Sequence, residues 1–293
     1  RKDIFYHLCN MQIVKILGYS HLIIALGAGV TAYMSGLALG LGDNLQFASY
    51  IIFSCTGLGY TVQRFIKTHF FPHSAPPERI VYMKHYGPGL TVGWTVILIV
   101  CIWWADVEFS NNSLAIGVLL IILGTAYAAI PLREKPYLKL PLIAIVFAIA
   151  TVVYPAILIG FQLSEVLPLL ALILLARVLY ISGITIPFDV RDLKLDSSKM
   201  KTLPQQMGTR RSLQRAVFLV SGSCVLWTVA VVSGGVNPVV GGSLIIHSLV
   251  TIPFVSPLVA GKNRNEFYYS IVLDGLISFQ FVILLLCYLL FQL

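Results

Sequence analysis

The sequence has few charged residues for its length. Asp, Glu, Lys and Arg make up only 11% of the 293 residues, whereas 58% are hydrophobic and the mean hydropathy is +0.87. Soluble domains contain roughly twice this charged fraction, so the composition excludes an ordinary water-soluble protein. It predicts an all-α, polytopic membrane protein, because helices satisfy their own backbone hydrogen bonds within a bilayer.

Cysteine is also scarce, and its five copies are scattered along the chain: Cys9, Cys55, Cys101, Cys224 and Cys287. No two of them form a Cys-x-x-Cys pair or a zinc-finger spacing with histidine. This pattern implies neither a disulfide framework nor a structural zinc site. We expect the cysteines to act as small apolar packing residues.

Acidic residues are the scarcer charged type, with 12 Asp and Glu against 20 Lys and Arg, which gives a formal net charge of +8. The basic residues lie in short segments between apolar runs, which is typical of membrane topology. No tract has the pattern of a nucleic-acid-binding face. We therefore expect membrane lipids as partners and no nucleic acid.

The apolar runs predict a single transmembrane domain over residues 1–293. Each run is near the roughly 20 residues that a helix needs to cross a bilayer. Two charged segments, 64–87 and 189–215, are predicted to form cytoplasmic cap loops. The hydropathy pattern predicts nine transmembrane helices, roughly at 17–41, 45–63, 88–105, 113–130, 140–161, 165–188, 216–233, 239–260 and 267–291.

The loop charges support this count and predict the orientation. Under it, every Lys and Arg except Arg177 falls on the side of the N-terminus. The positive-inside rule places that side in the cytoplasm, with the protein in the cell (inner or plasma) membrane. The opposite side has only acids: Asp43, Asp106, Glu108 and Glu165.

The segment 187–208, PFDVRDLKLDSSKMKTLPQQMG, contains the acid motif of the chain. Its three acids, Asp189, Asp192 and Asp196, are spaced so that a helix would place their carboxylates on one face. Carboxylate oxygens suit Mg²⁺, which usually takes one or two of them together with substrate phosphates. The interleaved bases favour a multiply charged anion bridged to that metal. A solvated segment of ion pairs is the alternative.

Two further ionisable residues, Arg177 and Asp274, lie inside predicted spans. Charges within a membrane are costly and usually face a partner or a water-filled cavity. We expect a structural role in preference to a catalytic one, either an ion pair between the two or a polar contact inside the bundle.

Three stretches resemble the UbiA superfamily of intramembrane prenyltransferases: DVRDLKLD, the KTLPQQMG that follows, and YAAIPLREKPYLK at 127–139. The resemblance implies a UbiA-like fold and an apolar cavity for a prenyl chain. It also implies two aspartate motifs, after helices 2 and 6, that hold Mg²⁺ on an allylic diphosphate. The first of these motifs is missing, because residues 59–67 read GYTVQRFIK and contain no aspartate.

The resemblance leaves two functions open. One is a prenyltransferase acting on a prenyl diphosphate and an electron-rich, aromatic or quinone-precursor-like acceptor. The other is a non-catalytic, lipid-binding or structural subunit of a membrane protein complex. Because one motif is lost, we expect a prenyl diphosphate or polyprenyl lipid to bind with weak or absent transfer, and Mg²⁺ to bind only together with diphosphate. The implied metal and catalytic residues are Asp189, Asp192 and Asp196, and the implied diphosphate-binding residues are Arg64, Lys67, Arg133, Arg191, Lys199 and Lys201.

Overall fold

The computed structural model describes residues 12–42, 44–70, 77–105, 109–129, 135, 137–196, 198–262 and 264–291. Within these ranges every regular element is helical, which confirms the all-α prediction. A π-helical turn, Val14–Gly18, precedes the first long helix. The nine long helices are α1 (Leu22–Ala38), α2 (Leu45–Phe70), α3 (Pro77–Ala105), α4 (Asn111–Ala129), α5 (Lys139–Leu158), α6 (Leu167–Arg191), α7 (Leu203–Val232), α8 (Pro238–Val255) and α9 (Tyr268–Phe291).

Six of these helices are long and apolar enough to cross a membrane: α3, α5, α6, α7, α8 and α9. Helix α1 and residues Asn111–Ala126 of α4 are apolar but shorter. The described helices thus make an integral membrane protein, and the figure of nine crossings stays a prediction, as does their orientation.

The helices pack in a closed series. Helix α6 lies along α7, α7 along α8, and α8 against α9, which returns to pack on α1. Helix α1 in turn packs on α2, and α5 contacts both α6 and α1. Helix α3 packs against α2 and exposes large apolar side chains such as Val92, Ile99 and Trp103. Exposed apolar surface on this scale suits contact with lipid.

Two helices are interrupted by π-helical turns. In α5 the turn Ile149–Val153 ends two residues before Pro155, and in α9 the turn Tyr268–Leu273 precedes Asp274. Such turns widen a helix locally and often occur at functional sites. In α9 the turn lies beside the charged end of α6, where Tyr269 packs on Phe188.

The two predicted cap segments consist mostly of helix ends. Helix α2 continues to Phe70 and α3 begins at Pro77, so most of 64–87 is helical. After α6, short 3₁₀ turns at Asp192–Lys194 and Ser198–Met200 lead into α7. The hydropathy pattern ended α2 and α6 too early and began α3 and α7 too late, because the turns next to these segments are charged and extend beyond the apolar part.

The start of α7 has clear local causes. The Gln205 side chain accepts a hydrogen bond from the Thr202 backbone N–H at 3.0 Å, and Pro204 lies in the first turn, where no N–H is needed. Gly208 bends this first part of the helix with a φ of +78°, which a residue with a side chain would adopt only under strain. The chain after the acid motif therefore has a bend at a defined position, Gly208.

We predict that Gly183→Ala destabilises the protein by forcing α6 away from α7. An added Cβ would lie 2.6 Å from Val220 Cγ2 and 2.9 Å from the backbone oxygen of Ala216. Overpacking of this kind costs about 1–3 kcal/mol. Thermal unfolding in detergent should show a lower Tm.

Gly93→Ala in α3 is the control, because no atom lies within 4 Å of its added Cβ. This change should leave the Tm unchanged or slightly raised, since Ala favours a helix over Gly by up to about 1 kcal/mol. Equal Tm values for the two variants would contradict the tight contact of α6 with α7.

Candidate functional site

The three acids of the motif lie around the end of α6 and do not share one helical face. Asp189 is in the last turn of α6, but the α-helix ends at Arg191 and Asp192 begins a 3₁₀ turn. The backbone N–H groups of Leu195 and Asp196 both donate to the Asp192 carbonyl at 2.8 Å. The chain therefore turns back, and the acids divide between two ion clusters.

Lys139 forms the first cluster, called the lysine cluster below, with Asp189 and Asp196. Its Nζ lies 2.8 Å from Asp189 Oδ1 and 2.6 Å from Asp196 Oδ2. The side chains of Lys139, Asp189 and Asp196 are only 11%, 2% and 6% exposed. One ammonium group thus bridges two carboxylates away from solvent.

Lys139 is a candidate site residue that was not identified from the sequence, although it ends the stretch 127–139 on which the resemblance depends. It is the first residue of α5, and the backbone N–H of Tyr137 donates to the Met200 carbonyl at 3.2 Å. This bond fixes the start of α5 beside the acid motif. A lysine directly before an apolar run was the only signal available.

The second cluster, called the arginine cluster below, joins α3, α6 and α9. Arg191 Nε and Nη2 donate to the two oxygens of Asp192 at 2.7 and 3.2 Å, and Arg191 Nη1 donates to Glu266 Oε1 at 3.3 Å. Arg79 pairs with the same Glu266, which also accepts a bond from Ser270 Oγ at 2.8 Å. Glu266 therefore connects two arginines and was not identified from the sequence.

Aromatic rings hold both guanidinium groups of the arginine cluster. The Arg191 guanidinium lies 5.3 Å from the ring centre of Phe188 and 5.1 Å from that of Tyr269. The Arg79 guanidinium lies 4.9 Å from the ring of Tyr19. Such contacts stabilise a cation beyond its carboxylate partner. The two arginines are thus fixed in position.

The other predicted phosphate-binding bases within the described residues lie on two elements, α2 and the segment before α7. Arg64, in α2, is close enough to interact electrostatically with Asp192 and Asp274, and Lys67 follows one turn later. Lys201 lines an open pocket of about 400 Å³ with Asp196 and four other residues, and Lys199 lies in the turn before it. Arg133 lies outside the described residues.

The charges placed in the site are balanced. Its carboxylates are Asp189, Asp192, Asp196, Glu266 and Asp274, and the bases beside them are Arg64, Arg79, Lys139, Arg191 and Lys201. Five bases thus accompany five acids. Lys67 and Lys199 lie close by in the sequence, three residues after Arg64 and two before Lys201.

The acid motif in this arrangement does not fit Mg²⁺. Lys139 occupies the position between the Asp189 and Asp196 oxygens, and Arg191 engages both oxygens of Asp192. Among the described residues, no three His, Cys, Asp or Glu side chains are placed to hold a metal ion together. Mg²⁺ needs several oxygen ligands at about 2.1 Å. Metal binding by these three acids stays a prediction from the sequence.

Arg177 and Asp274 do not pair with each other. The Arg177 side chain is buried, donates to Ser35 Oγ at 3.1 Å and Gln280 Oε1 at 2.9 Å, and stacks on Trp227. Asp274 instead interacts electrostatically with the arginine cluster. Of the two expected structural roles, Arg177 thus has the polar contact inside the bundle and not the ion pair. Arg177 joins α1, α6, α7 and α9.

The fold is that of the UbiA homologues among solved structures. A UbiA homologue from Aeropyrum pernix K1 aligns with a TM-score of 0.64 and 17% identity, covering 89% of this chain and 97% of that chain. A UbiA homologue from Archaeoglobus fulgidus bound to GPP and Mg²⁺ aligns with a TM-score of 0.60 and 13% identity, covering 92% and 98%.

A digeranylgeranylglyceryl phosphate synthase also has this fold, with a TM-score of 0.53, 15% identity and coverage of 96% of this chain and 98% of that chain. No family model matches the sequence, and no curated protein matches it. The UbiA-like fold expected from the acid motif is thus confirmed.

We predict that Glu266→Ala strongly destabilises the protein. The substitution leaves Arg79 and Arg191 without their shared carboxylate in a largely buried place. Removing one partner of a buried ion pair costs about 3–5 kcal/mol. The Tm in detergent should fall by far more than in Glu78→Ala, which alters an exposed acid at the start of α3 and costs less than about 1 kcal/mol. Similar Tm losses would show that Glu266 does not hold the cluster together.

Proposed function

Starting from the UbiA fold of this chain, we propose that the protein binds a prenyl diphosphate at the end of α6 and transfers its prenyl group slowly. The acceptor we propose is electron-rich, of the aromatic or quinone-precursor-like class. The observation that carries the proposal is the set of five bases placed around a retained Asp-x-x-Asp-x-x-x-Asp motif: Arg64, Arg79, Lys139, Arg191 and Lys201. A prenyl diphosphate supplies about three negative charges for such a site.

The ligand class is supported by relatives of the fold. The Archaeoglobus fulgidus homologue has been solved with GPP and Mg²⁺, and also with DMAPP and Mg²⁺. These ligands belong to that protein, whose identity to this chain is 13%. Their allylic diphosphates nevertheless name the compounds to test first.

The side chains suggest how the diphosphate would be held. Asp192 is the most exposed acid of the motif, at 25%, and it fixes Arg191 in place. Arg64 of α2, which is close enough to interact electrostatically with Asp192, supplies a second cation. The two guanidinium groups would donate to phosphate oxygens, and Lys201 would approach from the α7 side.

The proposed reaction breaks the bond between the allylic carbon and the diphosphate oxygen, which leaves with the electron pair. The acceptor then forms a bond to the allylic carbon and releases a proton. The leaving anion needs strong stabilisation. A guanidinium or ammonium donates from about 2.8 Å, whereas a metal would contact the same oxygen at about 2.1 Å. Slow transfer follows from this difference.

A non-catalytic, lipid-binding subunit of a membrane complex is the second candidate. One observation favours it: residues 45–70 of α2 contain no Asp or Glu, although the UbiA resemblance implies an aspartate motif there. Bases occupy its place. Such a site would hold a prenyl diphosphate or polyprenyl lipid without ionising it.

We predict that purified protein binds geranyl diphosphate and that the double variant Arg64→Gln, Lys67→Gln binds it at least tenfold more weakly. Hydrogen bonds to charged groups contribute about 1.5–3 kcal/mol each, and 1.4 kcal/mol is a factor of ten. Calorimetry in detergent measures the affinities. Lys262→Gln, which removes an exposed base before α9, should leave the affinity unchanged.

Transfer to a set of aromatic acceptors, assayed beside binding, decides between the two candidates. Slow transfer that Asp192→Asn lowers further supports the enzyme. Binding without any transfer supports the lipid-binding subunit. Rapid transfer would show that the missing α2 acids are not needed, and a lack of binding would overturn the proposal.

A further inference from the structure

The lysine cluster has the geometry of a cation site whose cation belongs to the chain. Lys139 Nζ approaches oxygens of two carboxylates, at 2.8 and 2.6 Å, from residues seven positions apart. All three side chains are nearly closed to solvent, which sets them apart from the more exposed Asp192 at 25%. Two buried carboxylates so close together need a cation between them.

The helix positions show that neither partner is placed there for helix stability. Lys139 is at the positive end of α5, and Asp189 is at the negative end of α6. Each charge alone is unfavourable at its helix end. The ion pairs between Lys139 and the acids at the end of α6 offset both unfavourable charges. These pairs, and not the stability of either helix, account for the positions of the charged residues.

We infer that the Lys139 ammonium replaces a bridging divalent cation at Asp189 and Asp196. The inference deepens the proposed function and rests on it for the bound anion, prenyl diphosphate. Because Lys139 is part of the chain, the positive charge between Asp189 and Asp196 is present at any metal concentration. The cluster as a whole is left with one negative charge, where a divalent ion would leave none.

If the Lys139 ammonium replaces a divalent cation, wild type and a variant without the ammonium should differ in metal binding. Wild-type protein should not bind a divalent metal at Asp189 and Asp196, because the ammonium already occupies the space between them. Removing the ammonium while keeping the length of the side chain should create a metal site from the two carboxylates. Lys139→Met does this, since Met is unbranched and uncharged.

The test uses Mn²⁺ as the probe and measures its binding to purified protein by electron paramagnetic resonance. Lys139→Met should bind one Mn²⁺ at least tenfold more tightly than wild type. The gain should disappear in the double variant Lys139→Met, Asp189→Asn. Lys139→Arg, which keeps the positive charge, should behave like wild type.

Thermal unfolding provides a second readout, because Lys139→Met is expected to be less stable than wild type and a bound metal should restore stability. Lys139→Met should melt below wild type without metal and be stabilised by Mn²⁺, whereas the Tm of wild type should not change with Mn²⁺. Wild-type binding of Mn²⁺ that is lost in Asp196→Asn would overturn the inference, even where Lys139→Met cannot be purified. A folded Lys139→Met that gains no Mn²⁺ site would overturn it too.

Geranyl diphosphate binding to wild type, measured beside these assays, separates this inference from the proposed function. A gained Mn²⁺ site without geranyl diphosphate binding would leave the lysine cluster as described and remove the proposed ligand. Geranyl diphosphate binding without a gained Mn²⁺ site would overturn the inference about Lys139 and keep the proposed ligand.

Discussion

The ion pairs of Lys139 with Asp189 and Asp196 are the interaction on which the site depends. They join the start of α5 to the last turn of α6 and to Asp196 beyond it, and the three side chains are at most 11% exposed. The backbone bond between Tyr137 and Met200 holds the same two segments together. Because charges this deep are costly unless paired, the position of one helix end fixes the position of the other.

The arginine cluster continues this arrangement toward α3 and α9. Glu266 connects Arg79 and Arg191, and Arg191 fixes Asp192, so α3, the end of α6 and the residues just before α9 contribute to one charged cluster. The acid that sequence reasoning sought in α2 is absent, whereas an acid before α9 takes part instead. The site therefore keeps the aspartate motif at the end of α6 and pairs its acids with Lys and Arg side chains of the same chain.

The helices were largely predictable from the sequence because hydropathy is a local property. The predicted runs 45–63 and 165–188 correspond to α2 and α6, and the differences lie at charged ends that extend beyond the apolar part. The ion pairs were not predictable. Arg79 and Glu266 are 187 residues apart, and Lys139 and Asp196 are 57 apart. Their pairing follows from the packing of helices, which spacing along the chain does not reveal.

The central claim is that Lys and Arg side chains, in place of a metal ion, supply the positive charge that binds diphosphate in this site. The most direct measurement compares the affinity of wild-type protein for geranyl diphosphate in excess EDTA and in excess Mg²⁺, by calorimetry at one ionic strength. The account predicts the same affinity within a few-fold, because Lys139 and the arginines are always present. Binding that EDTA abolishes and Mg²⁺ restores would contradict it.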